Sequence, residues 1–372
     1  MPPRFRPTEA RIDLSAIAHN YHLLAAQAAP ARVLVAVKAN GYGHGAVHVA
    51  KRLESEGCSW LGVATVEEGL HLRSHGVSLP ILVFGGPGRT GADAMVAQDL
   101  TAAVYDEGSA HRLNAAAARH GRVVPVHIQL DSGMSRLGVL PSGWSAFLDT
   151  LSGLEHLHID GVMTHFARAD DSKPATADQV AAFKQCLQEV EHHGHRPTFV
   201  HADNSAGALG YRHGFSLVRP GVAIYGLQPG GPERFDALQP AMSLHTEVLH
   251  TKWIPKGTPV SYGGTWVAPR RTRLAVLPVG YGDGYPRILS DRASVLIAGQ
   301  RAPIRGRICM DLLMVDTTDI DGDVVVGTPV VLMGSQGDAN ITADELAHQA
   351  HTINYEVVTS MGIRLPRVWS GA

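Results

Sequence analysis

Val33-Leu34-Val35-Ala36-Val37-Lys38 runs directly into Ala39-Asn40-Gly41-Tyr42-Gly43-His44-Gly45. An apolar, largely β-branched run of this length reads as a strand buried on both faces, as in a parallel sheet. It closes on a lysine. Partial burial lowers a lysine's pKa, and the free amine can then attack a carbonyl. The glycine-rich turn that follows lets backbone approach a ligand, and a helical stretch begins near Ala46. A lysine at the C-terminal end of a buried strand, above a glycine turn, is where Schiff-base chemistry would be built. The plainer reading is a lysine that snorkels out of the strand end.

Outward from this stretch, short apolar strands alternate with helical segments over the first two thirds of the chain. Further strands are expected at Trp60–Ala64, Ile81–Phe84, Ala102–Tyr105, Val124–Leu130, Ile159–Thr164, Thr198–His201 and Leu217–Tyr225. The segments between them carry helix formers, for example Ala177–Glu191. Eight βα repeats fit an α/β fold of the (β/α)8 TIM-barrel type better than a doubly wound sheet. From Ser243 the pattern changes to strand-like segments between turn signals: Leu244–Trp253, Thr272–Val279, Ser294–Ile297, Asp311–Asp316 and Pro329–Met333. One helical stretch is expected near Ala343–Ala350. The chain of 372 residues therefore reads as a barrel over 9–239 and a mainly β C-terminal domain over 240–372, joined by 1–8. Thr8–Leu14, just ahead of the first barrel helix, is a candidate to pair with that second domain.

Composition narrows the function classes. A formal charge of −2 and the absence of a basic run give no support for nucleic-acid binding. No apolar run approaches the ~18 residues of a membrane span, and Met1-Pro2-Pro3-Arg4-Phe5-Arg6-Pro7 lacks the apolar core of a signal peptide. Cys58, Cys186 and Cys309 are far apart and suggest neither a disulfide framework nor a CxxC zinc site. The 21 histidines include no HExxH, and His192, His193 and His195 read as a solvated stretch, so no protein-bound metal is expected. The expected location is cytoplasmic.

Barrel chemistry sits at the C-terminal ends of strands. There the chain places Lys38, Arg136, His165, Asn204-Ser205 and Arg219-Pro220-Gly221. Each has a bland alternative. Gly41-x-Gly43-x-x-Ala46 with Glu67 or Glu68 imitates a dinucleotide fingerprint, although that fingerprint has no role for the lysine. Arg219 alone reads equally as an ion-pair partner, Ser205 as a helix N-cap, and Tyr42 and Tyr355 as core aromatics. Only the combination separates the readings. A Schiff-base lysine, backbone N–H groups for a phosphate at Ser205, Gly221 and Val222, and a polar partner for a ring nitrogen describe a pyridoxal 5'-phosphate site. Arginine can only donate a hydrogen bond, so Arg219 would leave the pyridine nitrogen unprotonated. The weaker electron sink suits proton removal and return.

The chain resembles bacterial alanine racemases from about Thr8 to Trp369. The matching pieces are Val35 to Gly45, Asp131-Ser132-Gly133-Met134-Ser135-Arg136-Leu137-Gly138, Thr164-His165-Phe166-Ala167, Asn204-Ser205-Ala206 and Val218 to Gly226. Val260-Ser261-Tyr262-Gly263-Gly264-Thr265-Trp266, Val279 to Tyr285, Arg307-Ile308-Cys309-Met310-Asp311 and Ile353-Asn354-Tyr355-Glu356 complete the set. The resemblance implies racemisation of alanine by two bases, supplying D-alanine for peptidoglycan. Lys38 would hold the cofactor covalently and act on the face of the D-enantiomer. Tyr262 would act on the other face, from the second domain of the partner subunit of a head-to-tail homodimer. A free tyrosine with a pKa near ~10 is a poor base at neutral pH, and His165 with Arg219 would form its supporting network. Tyr42, Ser205, Gly221, Val222 and Tyr355 would hold the phosphate, and Arg136 and the Met310 backbone the substrate carboxylate. Tyr285 and Asp311 would line the entrance. The bland readings at Asp283-Gly284 and Cys309-Met310 are a turn and a packed pair.

One position departs from the family pattern. Many relatives carry a carbamylated lysine two residues before the Asp131 motif, and here Gln129 stands there. Glutamine lacks the carbamate's charge, although its amide oxygen can accept a guanidinium hydrogen bond. Independence from bicarbonate is expected, and a broader amino-acid racemase stays open. A fold-related decarboxylase would place a carboxylate at the ring nitrogen, which Arg219 does not supply. A non-catalytic cofactor-binding relative would be a barrel without the second domain.

Overall fold

The computed structural model describes residues 5–211, 213–231 and 234–371. The expected domain ranges also take in residues 1–4, 212, 232, 233 and 372, which lie outside the described residues. The described residues form two compact units, one within Ile17–Gly41 and Gly45–Gln239, the other within 5–16, Tyr42–His44 and 240–371.

The first unit is a nearly closed parallel barrel. After β1 (Glu9–Asp13) the chain forms β2 (Arg32–Ala36), β3 (Trp60–Val63), β4 (Ile81–Val83), β5 (Leu100–Val104), β6 (Val124–Gln129), β7 (Leu157–Met163), β8 (Phe199–His201) and β9 (Leu217–Val218). These eight run parallel in the order β8-β7-β6-β5-β4-β3-β2-β9. The ends approach through Ser216 N–H to Val200 O (3.0 Å) and Arg219 N–H to Asp203 O (2.7 Å). Leu34, Trp60, Leu82, Ala103, Met163, Phe199 and Leu217 pack together in the core. Helices return the chain between strands, and several are started by a side-chain cap. Thr65 and Glu68 form a capping box for Val66–Ser74, Asp106 caps Glu107–Arg119, and Ser172 caps Lys173–His192.

Two barrel strands stop two or more residues short of their expected ends. β9 stops at Val218 because Pro220 has no N–H for a ladder, and Val222–Tyr225 coils into a 3-10 turn. β2 stops at Ala36, so Lys38 opens a turn instead of ending the strand.

In the second unit, β1 lies between Met242–Glu247, antiparallel, and Arg367–Ser370, parallel, as the Thr8–Leu14 reading anticipated. Its hydrogen bonds set residues 9–13 in this sheet, although the expected barrel range began at residue 9. The expected strand Leu244–Trp253 is two strands, Met242–Glu247 and His250–Ile254. Adjacent residues there bond to different partners, Val248 N–H to Thr328 O and Leu249 N–H to Val276 O, so the chain changes sheets. Ser294–Ile297 and Ala343–Ala350 occur with the expected bounds. No described helix is long and apolar enough to cross a membrane.

Candidate active site

The C-terminal ends of the barrel strands carry Lys38, Arg136, His165, Ser205, Arg219, Gly221 and Val222. Lys38 follows β2 and starts a left-handed turn: Ala39, Asn40 and Gly41 have φ of 51°, 54° and 63°. Such backbone costs on the order of 1–2 kcal/mol per L-residue and persists only where its surroundings fix it. Here Gly41 N–H bonds Val37 O, Gly45 N–H bonds Asn40 O, and Ala46 N–H bonds Asn40 Oδ1. A Cβ on Gly41 would stand 3.2 Å from the Ala46 backbone. Glu68 adds a further tie, accepting from Ala39 N–H at 2.6 Å and Ala64 N–H at 2.7 Å. Burial lowers the pKa of the Lys38 amine, Arg136 lowers it further, and Glu68 opposes them. Glu68, weighed in the sequence only as a ribose acid, is thus a helix cap and an anchor for the lysine turn. The spacing Thr65-x-x-Glu68 was a readable signal for the cap but not for the tie to Ala39.

Arg219 is buried and aims its guanidinium at neutral acceptors. Nη1 donates to His201 Nδ1 at 2.9 Å, and Nη2 to the carbonyls of Thr164 and Ala202. Because arginine only donates, His201 carries its proton on Nε2, which donates a hydrogen bond to His127 Nδ1 at 2.9 Å. Burial lowers the Arg219 pKa to about 10, opposed by Asp203. His165 Nδ1 lies 3.4 Å from Arg219 Nη2. Burial, then Arg219, Arg136 and Lys38, lower the His165 pKa to about 3. His165 is therefore neutral at physiological pH and contributes a hydrogen-bonding ring, where the sequence reading gave it a share in a cationic network.

Ser205 is the first residue of a short helix, and its N-cap is Asn204, whose Oδ1 accepts from Gly207 N–H at 3.0 Å. The Ser205 hydroxyl, buried, instead accepts from Gly221 N–H at 2.9 Å and Ala223 N–H at 3.3 Å. Its own O–H proton is engaged by no acceptor among the described residues, which leaves a buried donor beside the Gly221–Val222 backbone. That donor, the low-pKa amine and the donor-only guanidinium suit pyridoxal 5'-phosphate, with an anionic group, an aldehyde and a basic ring nitrogen.

Arg136 is exposed on the loop after β6. Asp131 Oδ1 accepts from Gly133 N–H and Ser135 N–H, both at 3.0 Å, and shapes that loop. Gln129 Nε2 donates to Leu137 O at 3.0 Å. No Gln129–Arg136 hydrogen bond is found among the described residues, so the pairing that the amide oxygen permits is not made. The sequence reading also missed Gln179, a buried polar residue on Lys173–His192. It donates to Ser132 Oγ and His165 O and accepts from Ala167 N–H, tying two rim loops together. A single glutamine in a helical pattern carried no signal for this.

The second unit holds the other predicted residues. Tyr42 and Tyr355 meet with ring centroids 6.3 Å apart, and burial raises the Tyr42 pKa to about 12. Tyr262 is 71% exposed, in a tight turn after Ser261, whose φ is 64°. It borders a groove with Val260, Cys309, Leu312 and Met314. The Met310 carbonyl accepts from Gly282 N–H at 2.9 Å. Asp311 is exposed and pairs with Arg364 at 2.8 Å. Arg364 and Arg6 both bond the buried Asp283, so Asp283-Gly284 is a turn with an ionic anchor. Tyr285 is only 1% exposed, its hydroxyl lacking a partner among the described residues. This chain alone therefore buries Tyr285, where an entrance residue would be open.

Comparison with known proteins agrees with this geometry. The chain matches the family models for the alanine racemase N-terminal domain over residues 12–229 and the alanine racemase C-terminal domain over residues 241–369. It is 43% identical to an alanine racemase of Symbiobacterium thermophilum over 98% of both chains. It is 42% identical to one of Halothermothrix orenii over 97% of this chain and 96% of that protein. The crystal structure of alanine racemase from D-cycloserine-producing Streptomyces lavendulae superposes with a TM-score of 0.93 at 35% identity, covering 100% of this chain and 98% of that one. Alanine racemase from Bartonella henselae, with covalently bound pyridoxal phosphate, gives 0.90 at 31% identity, covering 99% and 100%. The chain belongs to the alanine racemase family, isomerases that depend on pyridoxal 5'-phosphate.

Proposed function

We propose that Lys38 and Tyr262 are the two bases with which this racemase interconverts L- and D-alanine. The observation that carries the reading is the amine of Lys38, held at the barrel rim in a fixed left-handed turn with its pKa lowered by burial and Arg136. Ser205, Gly221 and Val222, with Tyr42 and Tyr355, would hold the phosphate, and Arg219 would donate to the ring nitrogen. Bound there, pyridoxal phosphate delocalises the negative charge left at a substrate Cα when its proton is removed. Lys38 Nζ moves the proton on the face of the D-enantiomer. On the opposite face the proton is moved by the Tyr262 hydroxyl from the partner subunit. Arg136 and the Met310 backbone orient the substrate carboxylate, with the exposed Asp311 along its route.

A head-to-tail homodimer accounts for a catalytic tyrosine so exposed in one chain. Trp253, Val267, Met310 and Leu312 of the same unit are also exposed apolar side chains, as an interface needs. We place the protein in the cytoplasm, in keeping with three free cysteines and a formal charge of −2, making D-alanine for peptidoglycan. The domain division is placed at 239/240.

Incubation with each enantiomer of alanine, serine and lysine in deuterated water, followed by NMR and chiral analysis, tests the reaction. Racemisation with deuterium at Cα is expected. Release of carbon dioxide would instead mark a decarboxylase, and cofactor absorption without turnover a binding protein. Gln129 and the exposed Arg136 favour a second reading, a wider substrate range, which equal rates with serine or lysine would establish.

A further inference from the structure

Asp203 and His213 stand outside the residues assigned above. Asp203 is buried, and its Oδ1 accepts the Nδ1–H of His213 at 2.6 Å. The His213 ring is itself set by aromatics: edge-on to Phe166 at 5.1 Å, stacked on Tyr211 at 5.2 Å and tilted to Phe215 at 6.0 Å. With side chains 13% and 4% exposed, this pair differs from a mobile surface bridge, which contributes little. The close approach also constrains Gly207, where a Cβ would lie 2.7 Å from Asp203 Oδ1.

The backbone of Asp203 bonds the backbone of Arg219 at 2.7 Å. The next residues are Asn204, which caps the short helix, and Ser205, which receives Gly221 and Ala223. One residue thus connects the guanidinium segment to the Ser205 segment. Charge points the same way. Arg219 is buried among neutral acceptors, and a buried cation requires a nearby anion. Asp203 is the acid that opposes its desolvation.

We infer that Asp203 and His213 are a positioning pair for the cofactor, Asp203 serving as the buried counter-charge of Arg219 and His213 fixing its carboxylate. The inference rests on the reading of Lys38, Ser205 and Arg219 as the pyridoxal phosphate site. Its test compares wild-type holoenzyme with Asp203→Asn, His213→Phe and His213→Gln. His213→Phe keeps an aromatic ring and loses the donor, whereas His213→Gln restores a donor.

Loss of pyridoxal phosphate on dilution, followed by absorbance, is expected to be about tenfold faster in Asp203→Asn and His213→Phe, the size of a lost bond to a buried charge. His213→Gln is expected within about twofold of wild type. The absorption maximum of bound cofactor should shift in Asp203→Asn, and kcat should fall more than KM changes. Wild-type cofactor retention and absorption in both Asp203→Asn and His213→Phe would overturn the inference alone. If Asp203→Asn does not fold, equal retention by His213→Phe and His213→Gln overturns it. A wild-type protein that takes up no cofactor overturns the underlying reading and the inference with it.

Discussion

At the scale of single residues, the chemistry divides between what a side chain is and what surrounds it. Lys38 can serve as a base only when its amine is neutral. Lys38→Arg keeps the charge in a group that does not deprotonate, and turnover should fall at least about a thousandfold. Racemisation assays on the folded variant check this. Tyr262→Phe removes one hydroxyl at an exposed position, so cofactor absorption should persist while racemisation disappears; near-normal turnover would remove Tyr262 as the second base. Gln129 gives a third test. Its amide nitrogen is held by Leu137 O, and it has no amine to carbamylate. Adding bicarbonate to a depleted preparation should leave activity unchanged, and restoration would contradict the assignment. Lys38 and Arg219 stood out in the sequence as cationic residues at the ends of apolar runs, whereas Tyr262 was singled out only through the family resemblance. The partner that Gln129 takes was not legible, since a glutamine's choice depends on which carbonyl the loop brings near.

At the scale of elements, the rim loops are shaped by backbone conformations with few alternatives. The loop bearing Arg136 returns at Gly138, where φ is 128° and an added Cβ would lie 2.4 Å from the Asp131 nitrogen. Gly138→Ala should destabilise the protein by about 1–3 kcal/mol and raise KM for alanine, because Arg136 moves with its loop. Urea unfolding and steady-state kinetics read the two effects; an unchanged midpoint and KM would show that the loop relaxes freely. The existence and order of the barrel strands could be read from apolar runs, since burial on both faces leaves an unambiguous pattern. Their ends could not. β2 ends two residues before Lys38 through a left-handed turn, and the Leu244–Trp253 run divides where successive amides bond to different sheets. An apolar run records burial, not the partner that buries it.

For the whole molecule, buried histidines couple folding to pH. Burial lowers the His127 and His165 pKa values to about 3, against about 6.5 in an unfolded chain. The unfolded state therefore binds more protons below pH 6.5. The stability is fully present above that value and is lost as pH falls toward 3, at about 1.4 kcal/mol per pH unit for each histidine. Thermal unfolding between pH 7.5 and 4.5 should show Tm falling with acid; a constant Tm would contradict neutral burial. Assembly has its own test. Coexpressed Lys38→Ala and Tyr262→Phe chains should regain about a quarter of wild-type activity through mixed dimers with one complete site, whereas no recovery would place both bases in one chain. The sequence by itself determined the barrel, the mainly β second unit and the kind of cofactor, because hydrophobic periodicity and chemically distinctive side chains are local properties. Tertiary structure alone decided that His165 is neutral, that Glu68 anchors the lysine turn, that Tyr285 is buried and that Asp203 faces His213. Each of these depends on desolvation or on a partner distant in sequence, and neither is written in the residues on either side.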